Sequence, residues 1–280
     1  MLRDITIGQY YSADSFIHRL DPRTKIIGTF FFIIILFVIK GLYGLMIAGI
    51  LLLLLVRLSK VPLSYIVRGQ KSILFLLLFT VVLNMLMVKG EVLVRIWFLQ
   101  ITREGVYTAV FMAIRLILLV IGCSLMTLTT TPLQLTDGLE RILRPLKKIK
   151  VPVHDISMMM SIALRFIPIL MEETDKIMKA QSARGADFDS GGLTQKAKAL
   201  IPVLVPLVIS AFRRADELAT AMEARCYRGD EGRTRMKELK YKKQDYIAKG
   251  VVLLACVGLY MTRFLPSVTT TWQFIMRIFT

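Results

Sequence analysis

Asp21-Pro22-Arg23-Thr24-Lys25 leads straight into Ile26-Ile27-Gly28-Thr29-Phe30-Phe31-Phe32-Ile33-Ile34-Ile35-Leu36-Phe37-Val38-Ile39, a stretch without a single charge. The aspartate is a good helix N-cap, and proline suits the first helical position, where its missing N–H has no intrahelical partner. Arg23 and Lys25 fit the lipid headgroup layer and predict a cytoplasmic end. Ile26–Ile39 alone falls short of the roughly 20 residues a membrane span needs. Lys40-Gly41 interrupts the run before Leu42–Val56 resumes it. The pattern predicts two tilted helices joined by a tight outer turn, in preference to one long helix that buries Lys40.

The same reading extends along the chain. Arg57, Lys60, Arg68 and Lys71 form a second basic loop, followed by a span over Ser72–Val88. Val92–Thr102 is rich in β-branched and aromatic residues, which predicts a short hairpin or an interfacial strap on the outer face. Glu104–Thr129 is the fourth span. It carries Arg115 near its middle, where a lone charge costs roughly 2.5–3.5 kcal/mol, so this side chain should face protein, toward Asn84. Lys242, Lys243 and Lys249 start a last span, Ile247–Leu265, which Arg263 and Pro266 close; the tail through Trp272 to Thr280 is expected at the outer interface. Met1–Lys25 has no apolar core of the kind a cleaved leader needs, so the first span is expected to stay as an anchor.

Composition agrees. The chain has 280 residues, 55% of them hydrophobic, and a mean hydropathy of +0.60, well above soluble domains. Its net charge of +17 would suggest nucleic acid in a soluble protein. Here basic loops beside membrane helices account for it, and no nucleic-acid partner is expected. Cys123, Cys226 and Cys256 are dispersed, and His18 and His154 stand alone, so neither a disulfide framework nor a metal site is indicated. Gly191-Gly192 lacks the lysine of a phosphate loop, and no H-E-x-x-H or G-x-S-x-G occurs. The expectation is a non-catalytic chain without cofactor.

From Thr131 to about Asp245 acids and bases mix at helical spacing, interrupted by Pro132, Pro145, Pro152, Pro168, Pro202 and Pro206. Three helical pieces emerge: Leu133–Leu146, Ser157–Ala183 and Leu193–Ala224. Ala199–Phe212 is apolar but too short to cross and is divided by prolines, which suits a buried or interfacial helix. The chain thus divides into a membrane domain over 1–130, with spans near 24–39, 42–58, 72–88 and 104–129. A cytoplasmic helical domain over 131–246 and a C-terminal span and tail over 247–280 follow. The fold class is all-α, a polytopic membrane protein with about five transmembrane helices.

Two segments of the middle region nearly repeat each other: Ala180-Gln181-Ser182-Ala183-Arg184-Gly185 and Ala221-Met222-Glu223-Ala224-Arg225-Cys226. Each reads A-x-x-A-R-x at a helix end. The alanines keep the last turn slim, and an arginine at the tip can fork onto a carboxylate or backbone carbonyls. A cation at a helix C-terminus is common by itself. Two copies with matched alanine spacing point to docking of two similar partners.

On these residues the chain resembles the transmembrane T component of energy-coupling factor vitamin transporters, a family related to the cobalt permease subunit CbiQ. His18-Arg19-Leu20-Asp21-Pro22-Arg23-Thr24-Lys25, the Arg115 segment, Thr129-Thr130-Thr131-Pro132, Arg165-Phe166-Ile167-Pro168 and both tips carry the resemblance. It implies a scaffold that couples two cytoplasmic ATP-binding cassette ATPase subunits, expected as a heterodimer, to a membrane-embedded substrate-binding S component, in a prokaryotic cell membrane. It also implies that Ala183-Arg184-Gly185 and Ala224-Arg225-Cys226 fit grooves in the two ATPases. Cys226 stands where many relatives have glycine, which leaves the geometry of the second cap open. Met158, Met159, Met160, Phe166, Ile167 and Leu170, with the Leu200–Ile209 stretch, are candidates for the S-component contact or for plain core packing. The rivals are a permease of a conventional ABC importer and a membrane-embedded lipid transferase. The transferase would need an acidic metal site, for which Asp187-Phe188-Asp189 is the only weak candidate.

Overall fold

The computed structural model describes residues 10–69, 71–88, 92–96, 99–186, 188, 192–229 and 239–262. Arg263, Pro266, the Trp272–Thr280 tail, Gly191 and the pair Asp187 and Asp189 lie outside them. Among the described residues nine α-helices, one 3₁₀ turn and one β-hairpin follow in order. They fall into two compact units, one running to Gly138 and resuming at Leu239, the other beginning at Leu139.

The first unit is built on α1 (Pro22–Val38), α2 (Leu42–Ser59), α3 (Leu63–Gly69), α4 (Lys71–Met87), α5 (Arg103–Thr129) and α9 (Lys243–Met261). As expected, Asp21 caps α1, accepting the Arg23 N–H at 2.9 Å, and the helix stops before Lys40-Gly41. The hairpin pairs β1 (Val92–Ile96) antiparallel with β2 (Leu99–Thr102), Ile96 opposite Leu99. Thr102 then caps α5, its hydroxyl accepting from the Gly105 N–H at 3.1 Å and donating to the Val88 carbonyl at 2.6 Å. Leu36, Ile39, Leu45, Ala48, Val56, Leu118, Leu128 and Leu259 form one core shared by α1, α2, α5 and α9. Where α5 approaches α1, a Cβ on Gly122 would lie 2.7 Å from the Phe32 ring, so only glycine permits this distance. Large apolar side chains such as Phe30, Phe37, Ile50, Phe75 and Leu254 cover the outside, as a lipid solvent requires.

Among the described residues four helices are long and apolar enough to cross a membrane: α2, α5, Val153–Ala183 and α9. Phe75–Met87 of α4 is apolar but shorter, and α1, with 17 residues, is about 25 Å long. The fold is that of an all-α polytopic membrane protein.

Arg115 faces protein, but not Asn84. Its guanidinium donates to the Ile39 carbonyl at 2.6 Å, while the Asn84 amide donates to the Thr80 carbonyl of its own helix. Ile39 is the C-cap of α1, so the cation sits on the negative end of a helix dipole and fills an orphan carbonyl. Phe111 adds a ring face 4.6 Å away. Arg115 is therefore level with the α1–α2 turn.

The second unit contains the end of α6 (Pro132–Leu143), a 3₁₀ turn over Arg144–Ile149, α7 (Val153–Ala183) and α8 (Leu193–Ala224). The internal prolines do not break these helices: Pro168 lies inside α7, and Pro202 and Pro206 lie inside α8. Each internal proline leaves the carbonyl four residues earlier without its helical N–H. Pro206 leaves the Pro202 carbonyl without its helical N–H, and the Gln181 amide of α7 approaches it at a long 3.5 Å.

Candidate functional site

Both A-x-x-A-R-x segments end their helices in the same way. In α7 the Gly185 N–H donates to the Ser182 carbonyl at 3.0 Å and the Ala186 N–H to the Gln181 carbonyl at 3.0 Å. In α8 the Cys226 N–H donates to the Glu223 carbonyl at 2.8 Å and the Tyr227 N–H to the Met222 carbonyl at 3.1 Å. Each is the paired closure that ends a helix on a left-handed residue. Gly185 has φ +90° and Cys226 φ +55°. The arginines before them match closely, with φ, ψ of −89°, 7° for Arg184 and −91°, 13° for Arg225. Cysteine thus adopts the glycine geometry, and the second cap does not depart from the first. Ala183, Arg184 and Gly185 are exposed, as are Ala224, Arg225 and Cys226. Among the described residues neither guanidinium has an acceptor.

The packing of α7 on α8 fixes how these ends relate. Gln181 lies beside Pro202. Glu173 accepts from Arg214 at 3.0 Å. Ile162, Phe166 and Leu170 share an apolar cavity of about 330 Å³ with Ala215, Leu218 and Met222. Rising positions on one helix meet falling positions on the other, so the pair is antiparallel. The arginines therefore occupy opposite ends, and the run of α8 from Pro202 to Arg225 is on the order of 35 Å.

The structure divides the six candidate contact residues. Phe166 and Leu170 turn toward α8 and line the cavity. Met159 (57% exposed), Met160 and Ile167 face outward, and Met158 is half-buried. On α8 an uninterrupted stripe of Leu200, Ile201, Leu204, Val205, Val208, Ile209 and Phe212 is exposed, whereas Val203 is buried. The apolar surface of this unit is thus larger on α8 than on the methionine run.

Asp21-Pro22-Arg23-Thr24-Lys25 does more than cap α1. The Lys25 ammonium donates to the Thr129 carbonyl at 2.7 Å and the Tyr11 N–H to the Leu128 carbonyl at 2.9 Å, so together they serve the last carbonyls of α5. The Asp21 N–H donates to Asp245 Oδ1 at 2.7 Å, and the other oxygen of Asp245 accepts the Lys242 N–H at 2.7 Å. Arg23 donates to both Asp21 oxygens, at 2.9 and 2.8 Å, and to the Leu239 carbonyl at 3.0 Å. The Tyr241 ring lies 3.8 Å from the Arg23 guanidinium and 3.4 Å from the Lys249 ammonium. Burial pushes the Asp21 carboxyl up, but the bonds from Arg23 outweigh it and hold the group below the usual carboxylate range. The start of α1, the end of α5 and the start of α9 meet in this clasp. The expectation that Arg23 and Lys25 lie in the headgroup layer is thereby corrected: Lys25 is buried and both cations are held by protein acceptors. Asp245, at the third position of α9 and preceded by lysines, carried no such expectation. His18 belongs to the same end, its Nε2–H donating to the Tyr11 carbonyl at 3.0 Å and its Nδ1 accepting from Ser15 at 2.7 Å.

Fold and site together define a polytopic helical membrane protein that presents two equivalent cationic helix ends on one antiparallel pair. Residues 13–236 match the family CbiQ, described as cobalt transport protein. The chain is 56% identical over 254 residues to an energy-coupling factor transporter transmembrane protein EcfT of Ruminiclostridium cellulolyticum, covering 91% of this chain and 95% of the relative. It is 53% identical over 264 residues to that of Thermosediminibacter oceani, with 94% and 100% covered. Against that of Bacillus subtilis it is 45% identical over 263 residues, with 93% and 99% covered. The chain belongs to the EcfT/CbiQ family.

Proposed function

We propose that this chain is the energy-coupling T component of an ABC-type micronutrient importer, with Arg184 and Arg225 each seated in a groove of a separate ATPase subunit. The observation that carries the reading is the pair of arginine tips with matching backbone angles at opposite ends of the α7–α8 pair, neither with an acceptor among the described residues. A single ATPase site would need one tip; two tips on the order of 35 Å apart suit two similar subunits whose separation changes as they bind and release ATP. The slim alanines admit the partner's backbone, and the rigid closure at Gly185 and Cys226 transmits force without bending. ATP hydrolysis then resides in the partners, and this chain itself is not an enzyme.

The S component is assigned to the exposed apolar faces, chiefly Leu200–Phe212 of α8, together with Met159, Met160 and Ile167. In this reading α7, although long and apolar enough to cross, lies along the cytoplasmic leaflet. Its C-terminal half carries Glu172, Glu173, Asp175, Lys176 and Lys179, which would be costly in hydrocarbon. The N-terminus and the coupling region are placed in the cytoplasm of a prokaryotic cell, since the basic residues gather there.

The test is co-purification and uptake with the cognate ATPases and S component. Arg184→Ala and Arg225→Ala each weaken uptake, and the double variant loses coupling or releases the ATPases while its membrane helices stay folded. Unchanged uptake by the double variant removes the coupling role.

A further inference from the structure

We infer that the 3₁₀ turn Arg144–Ile149 is a docking surface for anionic lipid headgroups. A 3₁₀ helix has three residues per turn, so residues three apart stack into one ridge. Leu143, Leu146 and Ile149 form such a ridge, and they are 38%, 38% and 76% exposed. Arg144, Lys147 and Lys148 occupy three of the four positions between them, Pro145 takes the fourth and Lys150 follows, all exposed, and no residue of the turn is buried. Lys150 ends it in the left-handed region at φ +63°, its N–H on the Leu146 and Lys147 carbonyls. The eight residues Leu143–Lys150 thus offer an apolar keel beside four cations and no acid.

Charge complementarity selects the occupant. A soluble protein would meet these cations with carboxylates, yet the chain is already committed to a bilayer. Only Thr130, Thr131 and the 12 residues of α6 separate the turn from the end of α5 along the chain, so by sequence it is a segment next to a membrane helix. Basic segments next to a span bind anionic lipid surfaces, while interleaved apolar side chains enter the acyl boundary. The keel is too short to insert on its own, so headgroup charge decides whether it does.

The experiment uses the full chain in nanodiscs of pure phosphatidylcholine or with phosphatidylglycerol added. Cys123, Cys226 and Cys256 are replaced by serine, and a spin label is placed at Ile149→Cys. Power saturation compares collisions with oxygen and with a water-soluble nickel chelate. In phosphatidylglycerol discs the label becomes oxygen-accessible and shielded from nickel; in phosphatidylcholine it stays in water. Substituting Arg144, Lys147, Lys148 and Lys150 by glutamine one at a time lowers the lipid preference by about five-fold each, and all four together abolish it. Three results overturn the inference. They are a label in water in both discs, equal immersion in both, and shielding that comes only with added ATPases and survives the glutamine substitutions.

Discussion

Replacing Asp245 by alanine removes the one side chain that accepts both the Asp21 and the Lys242 N–H, each at 2.7 Å. Asp245 is 1% exposed, so water cannot take its place. A hydrogen bond to a charged acceptor contributes roughly 1.5–3 kcal/mol, and two buried donors would be left unserved. The expected loss is about 3–5 kcal/mol. For a chain of this size that corresponds to about 6–10 °C in melting temperature. Asparagine keeps one carbonyl acceptor and should lose about half as much. Thermal unfolding of the purified protein in detergent reads the difference. An alanine variant melting within about 1 °C of the wild type would refute the claim that this carboxylate joins α1 to α9.

Three further outcomes follow from the geometry. Arg115→Met strips the cap from the Ile39 carbonyl and should destabilise the membrane unit by about 2 kcal/mol, whereas Asn84→Ala should change melting far less. Cys226→Gly should stabilise the second tip by about 0.5–1 kcal/mol, the left-handed cost of cysteine less the extra freedom of glycine; uptake should be unimpaired. Burial lowers the His18 pKa below 6.5, so its neutral form is favoured in the fold. That contribution is complete above about pH 6.5 and drains away as pH falls toward the lowered pKa. The melting difference between wild type and His18→Gln should therefore narrow between pH 7.5 and 5.5.

The parts legible in the sequence were those encoded locally. Asp21-Pro22 announced the start of α1, Lys40-Gly41 divided α1 from α2, and the bounds of α8 were read as found. The paired tips were visible because alanine spacing and arginine both carry a letter. The partner of Arg115 was not, because a helix-terminal carbonyl belongs to every residue type, and Asn84 was the nearest polar letter. Asp245 was missed for a similar reason: its ligands are backbone N–H groups, one of them far away in sequence. Pro168, Pro202 and Pro206 interrupt the pattern of letters, yet the helical pieces read through them, Ser157–Ala183 and Leu193–Ala224, lie within continuous helices. Cysteine at the second cap looked like a departure from glycine, but the closing hydrogen bonds tolerate it.

The most direct measurement places a photo-crosslinking residue at Ala183 in one variant and at Ala224 in another, each in the assembled complex with both ATPases. The account predicts that each position captures an ATPase, and that the two positions capture different subunits. Capture of the same subunit by both, or of lipid alone by either, contradicts it.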